Sequence, residues 1–122
     1  MRIGIVAGEA SGDLIGSHLV EGLRRLVPEV EFLGIGGGRM QAAGVQSLYP
    51  MEKLSVRGFV EVLDNLREIL AIRRALIRRF IEDPPDLYVG VDAPDFNLGL
   101  EQKLRHGGVP TVHRACERVK LH

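Results

Sequence analysis

A chain of 122 residues with an apolar share of 45% suits one folded domain with its own core. Its 16 Lys and Arg balance its 16 Asp and Glu, which excludes the overall positive field of a nucleic-acid binder and leaves attraction to an anionic surface to local clustering. The single cysteine, Cys116, excludes an internal disulfide, stands in no Cys/His pattern of metal spacing, and fits a reducing compartment.

Ile3 to Ala7 is a short apolar run, read as a strand, that breaks at Gly8-Glu9. It is too brief for a signal-peptide core or a membrane span, so a cytoplasmic chain is expected. Leu14, Ile15, Leu19, Val20, Leu23 and Leu26 follow at helical spacing until Pro28. Val30 to Ile35 reads as a second strand, running into Gly36-Gly37-Gly38 and a short helix over 39–43 that Gly44 breaks. A weak extended piece covers 45–49. A long helix is expected over 59–81, closed by Pro84-Pro85, then a strand from Leu87 to Val91, a helix over 98–105 and a strand over 110–113. Strands alternating with helices at this spacing predict an α/β fold: a doubly wound, mostly parallel sheet with helices on both faces. No repeat, linker or low-complexity tract interrupts it.

Two segments carry candidate chemistry. Asp92-Ala-Pro-Asp-Phe-Asn97 opens where the strand Leu87–Val91 ends, and in open α/β sheets ligands bind outside the carboxyl ends of strands. Two carboxylates and an amide exceed what a turn needs, although Asp92 or Asp95 could simply cap the next helix. Gly8-Glu-Ala-Ser-Gly-Asp13 joins the first strand to the first helix and reaches the same sheet edge. Gly8 and Gly12 permit close backbone approach, Ser11 or Asp13 can cap the helix, and Glu9 has no evident local duty. The segment lacks both the Gly-Lys-Ser/Thr ending of a phosphate loop and the spacing of a dinucleotide site. Gly36 and Gly37 could cradle an anion or sugar through backbone N–H groups, or form a tight turn.

Ala7-Gly-Glu-Ala-Ser-Gly-Asp13, Gly34-Ile-Gly-Gly37 with Met40, Leu54 to Leu63, Gly90-Val-Asp-Ala-Pro-Asp-Phe-Asn-Leu98 with Glu101, and Thr111-Val-His113 together resemble the lipid-A-disaccharide synthases of Gram-negative bacteria. The resemblance spans residues 2–113. It implies the N-terminal, acceptor-side, Rossmann-like half of a B-type glycosyltransferase, with residues 114–122 a divergent tail and the C-terminal donor-binding domain absent. It further implies an inverting transfer from UDP-2,3-diacylglucosamine to the 6-hydroxyl of 2,3-diacylglucosamine 1-phosphate, without metal or cofactor. By the same likeness Asp92 matches the proposed base and Glu9 a second active-site carboxylate, while Gly8, Ser11, Gly12, Gly36, Gly37, Asp95, Asn97 and His113 fall at substrate-binding positions. A positioned base contributes about 10² to 10⁴ in rate.

Within the helix over 59–81, Phe59, Val60, Val62, Leu63, Leu66, Ile69 and Leu70 form a wide apolar arc. Arg57, Arg67, Arg73, Arg74, Arg78 and Arg79 make the segment locally basic. A core helix with a solvated basic face is one reading. The resemblance implies another, peripheral docking on the anionic inner membrane beside acyl chains. After His113 the chain departs from the family pattern, so truncation, an inactive fragment and an unstructured or helical tail are expected. His18 and His106 are expected on helix surfaces. The rival readings are a flavodoxin-like small-molecule module without catalysis and a membrane-surface adaptor.

Overall fold

The computed structural model describes residues 1–54, 59–91, 94–115 and 118–121. The elements in chain order are β1 (Arg2–Val6), α1 (Ala10–Leu26), β2 (Glu31–Ile35), α2 (Gly38–Ala42), β3 (Val45–Ser47), a 3₁₀ turn (Met51–Leu54), α3 (Phe59–Glu82), β4 (Leu87–Gly90), α4 (Pro94–His106), β5 (Thr111–Ala115) and β6 (Arg118–Leu121). The sheet order is β3-β2-β1-β4-β5-β6. The first five strands in that order pair in parallel, and β6 joins the edge antiparallel to β5. The doubly wound α/β reading is therefore correct, and the tail is corrected: residues 118–121 form a strand rather than a helix or a disordered end.

Both faces of the sheet are covered, which is why its strands are continuous apolar runs rather than alternating ones. Ile3, Ile5 and Ala7 point to the side of α1 and α2, where Val20 and Met40 meet them. Val6 points the other way, with Tyr88, into the core built by Ile72, Leu76 and Phe80 of α3 and Phe96, Leu100 and Leu104 of α4. The ring of Phe80 packs tilted on that of Tyr88, centroids 5.8 Å apart.

Helix α1 buries small and polar residues: Gly12, Asp13, Gly16, Ser17 and Val20. The absent side chain at Gly16 admits α2, since a Cβ there would stand 2.7 Å from Met40 Sδ. The start of α4 was placed too late in the sequence. Pro94 is the first residue of the helix, four positions before the start expected at residue 98. A proline suits that position, because its fixed φ is helical and its missing N–H has no helical partner there.

Candidate functional site at the sheet switch point

From β1 the chain winds through α1 and α2 toward β3, then crosses by α3 to the far side of β1 and continues through β4 and β5. Winding direction thus reverses between β1 and β4. Connections leave these two strands toward opposite faces, opening a crevice at their carboxyl ends. Val6 and Gly90 are paired at that point. The ladder extends one step further, where the Val91 amide donates to the Val6 carbonyl at 3.0 Å. Asp92 and Ala93, which follow, lie outside the described residues.

On the β1 side, Ala7 and Gly8 are buried and Glu9 is exposed. Glu9 is the N-cap of α1 in extended conformation, and its side chain makes no capping hydrogen bond. Its carboxylate therefore stands exposed at the positive end of a 17-residue helix without capping it. Ser11, Gly12 and Asp13 belong to the first turns of α1, so neither Ser11 nor Asp13 caps this helix, contrary to the sequence reading. Ser11 is exposed beside Glu9, and Gly12 is buried.

Asp13 caps a different element. Its Oδ1 accepts the N–H groups of Gly37 at 2.9 Å and Met40 at 2.9 Å, and its Oδ2 accepts that of Arg39 at 3.0 Å. Gly37 is the N-cap of α2. The carboxylate thus serves the free amides at the start of α2 from across the fold. Close approach explains the glycine, since a Cβ at residue 37 would meet Asp13 Oδ2 at 2.6 Å. The Gly36 amide donates to Ser47 Oγ at 3.2 Å. The anion held by the Gly37 amide is accordingly the protein's own, and Gly36 and Gly37 line a cleft of about 340 Å³ with Ser47, Tyr49, Met51 and Glu52.

Behind β4 lies a buried polar cluster that the sequence reading did not assemble. Asn97, Glu101 and His113 are 0%, 0% and 3% exposed. Tyr88 Oη donates to Asn97 Oδ1 at 2.5 Å, and Asn97 Nδ2 donates to the Val6 carbonyl at 3.4 Å. Asn97 is thus a helical residue tying β4 and β1 to α4, not a loop residue. Glu101 lies 3.4 Å from His113 Nδ1, and neither of its oxygens accepts a hydrogen bond among the described residues. Burial pushes its carboxyl up to about 7, against a smaller opposing pull from Arg105. The Tyr88 phenol is raised well above its usual value by burial first and by Glu101 second. His113 of β5 pairs laterally with Gly90 of β4 and is buried beside Glu101 of α4. The apolar period Phe96-Leu100-Leu104 was the available signal: it carries Asn97 and Glu101 along the edge of the buried face.

Asp95 lies in the first turn of α4, and Phe59, Val60, Val62 and Leu63 lie in α3, but their side chains are outside the described residues. Arg57 is outside them altogether. Leu66 is 47% exposed, whereas Ile69 is half-buried against the core and Leu70 is half-buried. Arg67, Arg74, Arg78 and Arg79 are exposed, and Arg73 is half-buried. His18 and His106 are exposed, as expected. Among the described residues no group of three or more His, Cys, Asp or Glu side chains is placed to hold a metal ion, and no helix is long and apolar enough to cross a membrane.

A family model described as Lipid-A-disaccharide synthetase matches residues 3–119, past His113 where the resemblance was expected to stop. The lipid-A-disaccharide synthase of Azotobacter vinelandii is 56% identical over 119 residues, which are 98% of this chain and 31% of that protein. That of Methylobacillus flagellatus is 56% identical over 91% of this chain and 29% of its own length. That of Pseudomonas aeruginosa is 56% identical over 98% and 32%. The chain spans about a third of the length of these curated relatives.

Proposed function

The chain belongs to the lipid-A-disaccharide synthetase family, and we propose that it forms the acceptor-side half of a glycosyltransferase. That enzyme joins UDP-2,3-diacylglucosamine to 2,3-diacylglucosamine 1-phosphate, giving lipid A disaccharide 1-phosphate and UDP. One observation supports the reading: the register Val6↔Gly90 pairs, at the switch point, the strand ends that lead in sequence to Gly8-Glu9 and to Val91-Asp92.

In this mechanism the acceptor 6-hydroxyl attacks the anomeric carbon of the donor from the face opposite UDP. Its proton passes to the Asp92 carboxylate as the new C–O bond forms, and the electron pair of the breaking bond leaves with UDP, inverting the anomeric centre. An alcohol is a weak nucleophile until a base accepts that proton in the transition state. Glu9, exposed at the start of α1, orients the acceptor. The exposed arginines of α3 bring the enzyme peripherally to the anionic inner membrane, where both acylated sugars reside.

The test is turnover by the full-length protein carrying this segment. Asp92→Asn keeps size and removes the base, so kcat should fall by about 10² or more with donor affinity little changed. Near-normal turnover in Asp92→Asn beside inactive Asp95→Asn would assign the base to the wrong carboxylate. The 122-residue chain alone is expected to show no transfer, since the resemblance assigns most donor contacts to the second half.

A further inference from the structure

We propose that Glu101 is a positioning residue for the transfer site, holding with His113 the end of β4 from which the chain enters Asp92. The inference rests on the reading of Asp92 as the base.

Its first support is shape. Gly90 leaves a gap on the α4 side of β4 that Glu101 and Asn97 fill, since a Cβ there would stand 2.7 Å from Glu101 Oε1 and 2.9 Å from Asn97 Cγ. Glu101 therefore occupies the space over Gly90, two residues before Asp92 in the sequence. The second support is cost. A fully buried carboxyl whose oxygens accept no hydrogen bond among the described residues carries a cost that an apolar leucine of similar size would remove. Such a group at the edge of a switch-point crevice points to a use beyond packing.

The charges and dipoles around Glu101 define what it can do. His113 faces it from β5 at 3.4 Å. Tyr88 of β4 feels the charge of Glu101, whose own α4 presents Asn97 one turn before and Arg105 one turn after. Strand β1 contributes the Val6 carbonyl through Asn97, and α3 brings Arg73 against Gly99. With its proton, Glu101 is a neutral acid able to donate to His113. Without it, a buried anion sits behind the Gly90 end of β4 and the hydrogen bond it could donate to His113 is lost. The proton leaves near neutrality, at about 7. Glu101 is fully buried, so its effect falls on the turnover step rather than on binding.

The experiment compares wild type, Glu101→Gln and Asp92→Asn of the full-length protein across pH 5 to 9, with circular dichroism as the folding control. Glu101→Gln keeps shape and removes the titration. The expected result is an inflection in kcat near pH 7 that wild type shows and Glu101→Gln lacks, with kcat lowered about tenfold to a hundredfold and KM unchanged within a factor of about two. If Asp92→Asn abolishes turnover while folded Glu101→Gln keeps the wild-type pH profile and kcat, the positioning role falls and the base assignment stands. If Asp92→Asn turns over normally, both fall. A second measurement needs no variant. Carboxyl carbon NMR of wild type labelled at glutamate must show one buried carboxyl titrating near 7, and titration of every glutamate in the ordinary range overturns the proposal even where Glu101→Gln fails to fold.

Discussion

Replacing Asp13 by alanine should cost far more than replacing it by asparagine, and the geometry of three hydrogen bonds says why. Asp13 is 6% exposed, and its Oδ1 alone serves both buried amides, Gly37 and Met40, while Oδ2 serves Arg39 at the surface. Alanine strands two buried N–H groups, and at roughly 1.5–3 kcal/mol for each hydrogen bond to a charged group the loss is about 3–6 kcal/mol. The Arg39 amide returns to water at little cost. Asparagine can keep its oxygen at the Oδ1 position, retaining both buried bonds and losing only the charge and the exposed one, so about 1–2 kcal/mol is expected. Against a total stability of about 5–15 kcal/mol, the alanine variant should stand near the edge of folding. Urea unfolding followed by circular dichroism measures this as a shift in midpoint at constant slope. A loss below about 1 kcal/mol in Asp13→Ala, or equal losses in both variants, would refute the claim that this carboxylate fastens the start of α2.

Three further outcomes follow from the same structure. The Glu101 carboxyl is raised from 4.5 to about 7 by burial, so the folded state holds this proton more tightly than the unfolded chain. Its contribution is fully present below pH 4.5 and is lost as pH rises through 7. The difference in stability between wild type and Glu101→Gln should therefore shift against wild type by about 3 kcal/mol over that window, and a flat difference would contradict the burial of an ionisable carboxyl. Gly90→Ala places a Cβ 2.7 Å from Glu101 Oε1, so a loss of about 1–3 kcal/mol is expected in thermal or urea unfolding, relieved in part when Glu101 is shortened to Ala. Charge reversal at Arg74 and Arg78, both exposed, should weaken co-sedimentation with anionic vesicles by about 1 kcal/mol per residue, and equal binding to neutral and anionic vesicles would return α3 to a purely packing role.

The parts of this fold that the sequence displays are those governed by local periodicity. Ile3–Ala7 and Leu87–Val91 are apolar runs because both sheet faces are covered, and the helical stripe of α3 is set by Ile72, Leu76 and Phe80. Parallel pairing then follows from the alternation of elements, and with it the meeting of the carboxyl ends of β1 and β4 at one edge. The parts that were misread turn on partners distant in the chain. Asp13 has every local mark of a cap for its own helix, yet its amides belong to residues 37, 39 and 40, and no pattern within α1 reveals that. Pro94 stops a strand and starts a helix with the same fixed φ, so the sequence admitted a loop where the structure begins a turn of α4.

Glu101 shows the limit most clearly. Its neighbours Leu100 and Leu104 mark it as lying beside a buried stripe, but whether an acidic side chain there leans out to solvent or inward is decided by what stands opposite. Opposite stands Gly90, whose missing side chain makes the space, and His113, brought alongside by the β4–β5 register. A glycine on one strand, a histidine on the next and a glutamate on the helix above them are separated by eleven to twenty-three residues in sequence and joined only by topology. The same topology pairs the ends of β1 and β4, so the fold that brings these two strands to one edge also assembles the polar cluster behind it.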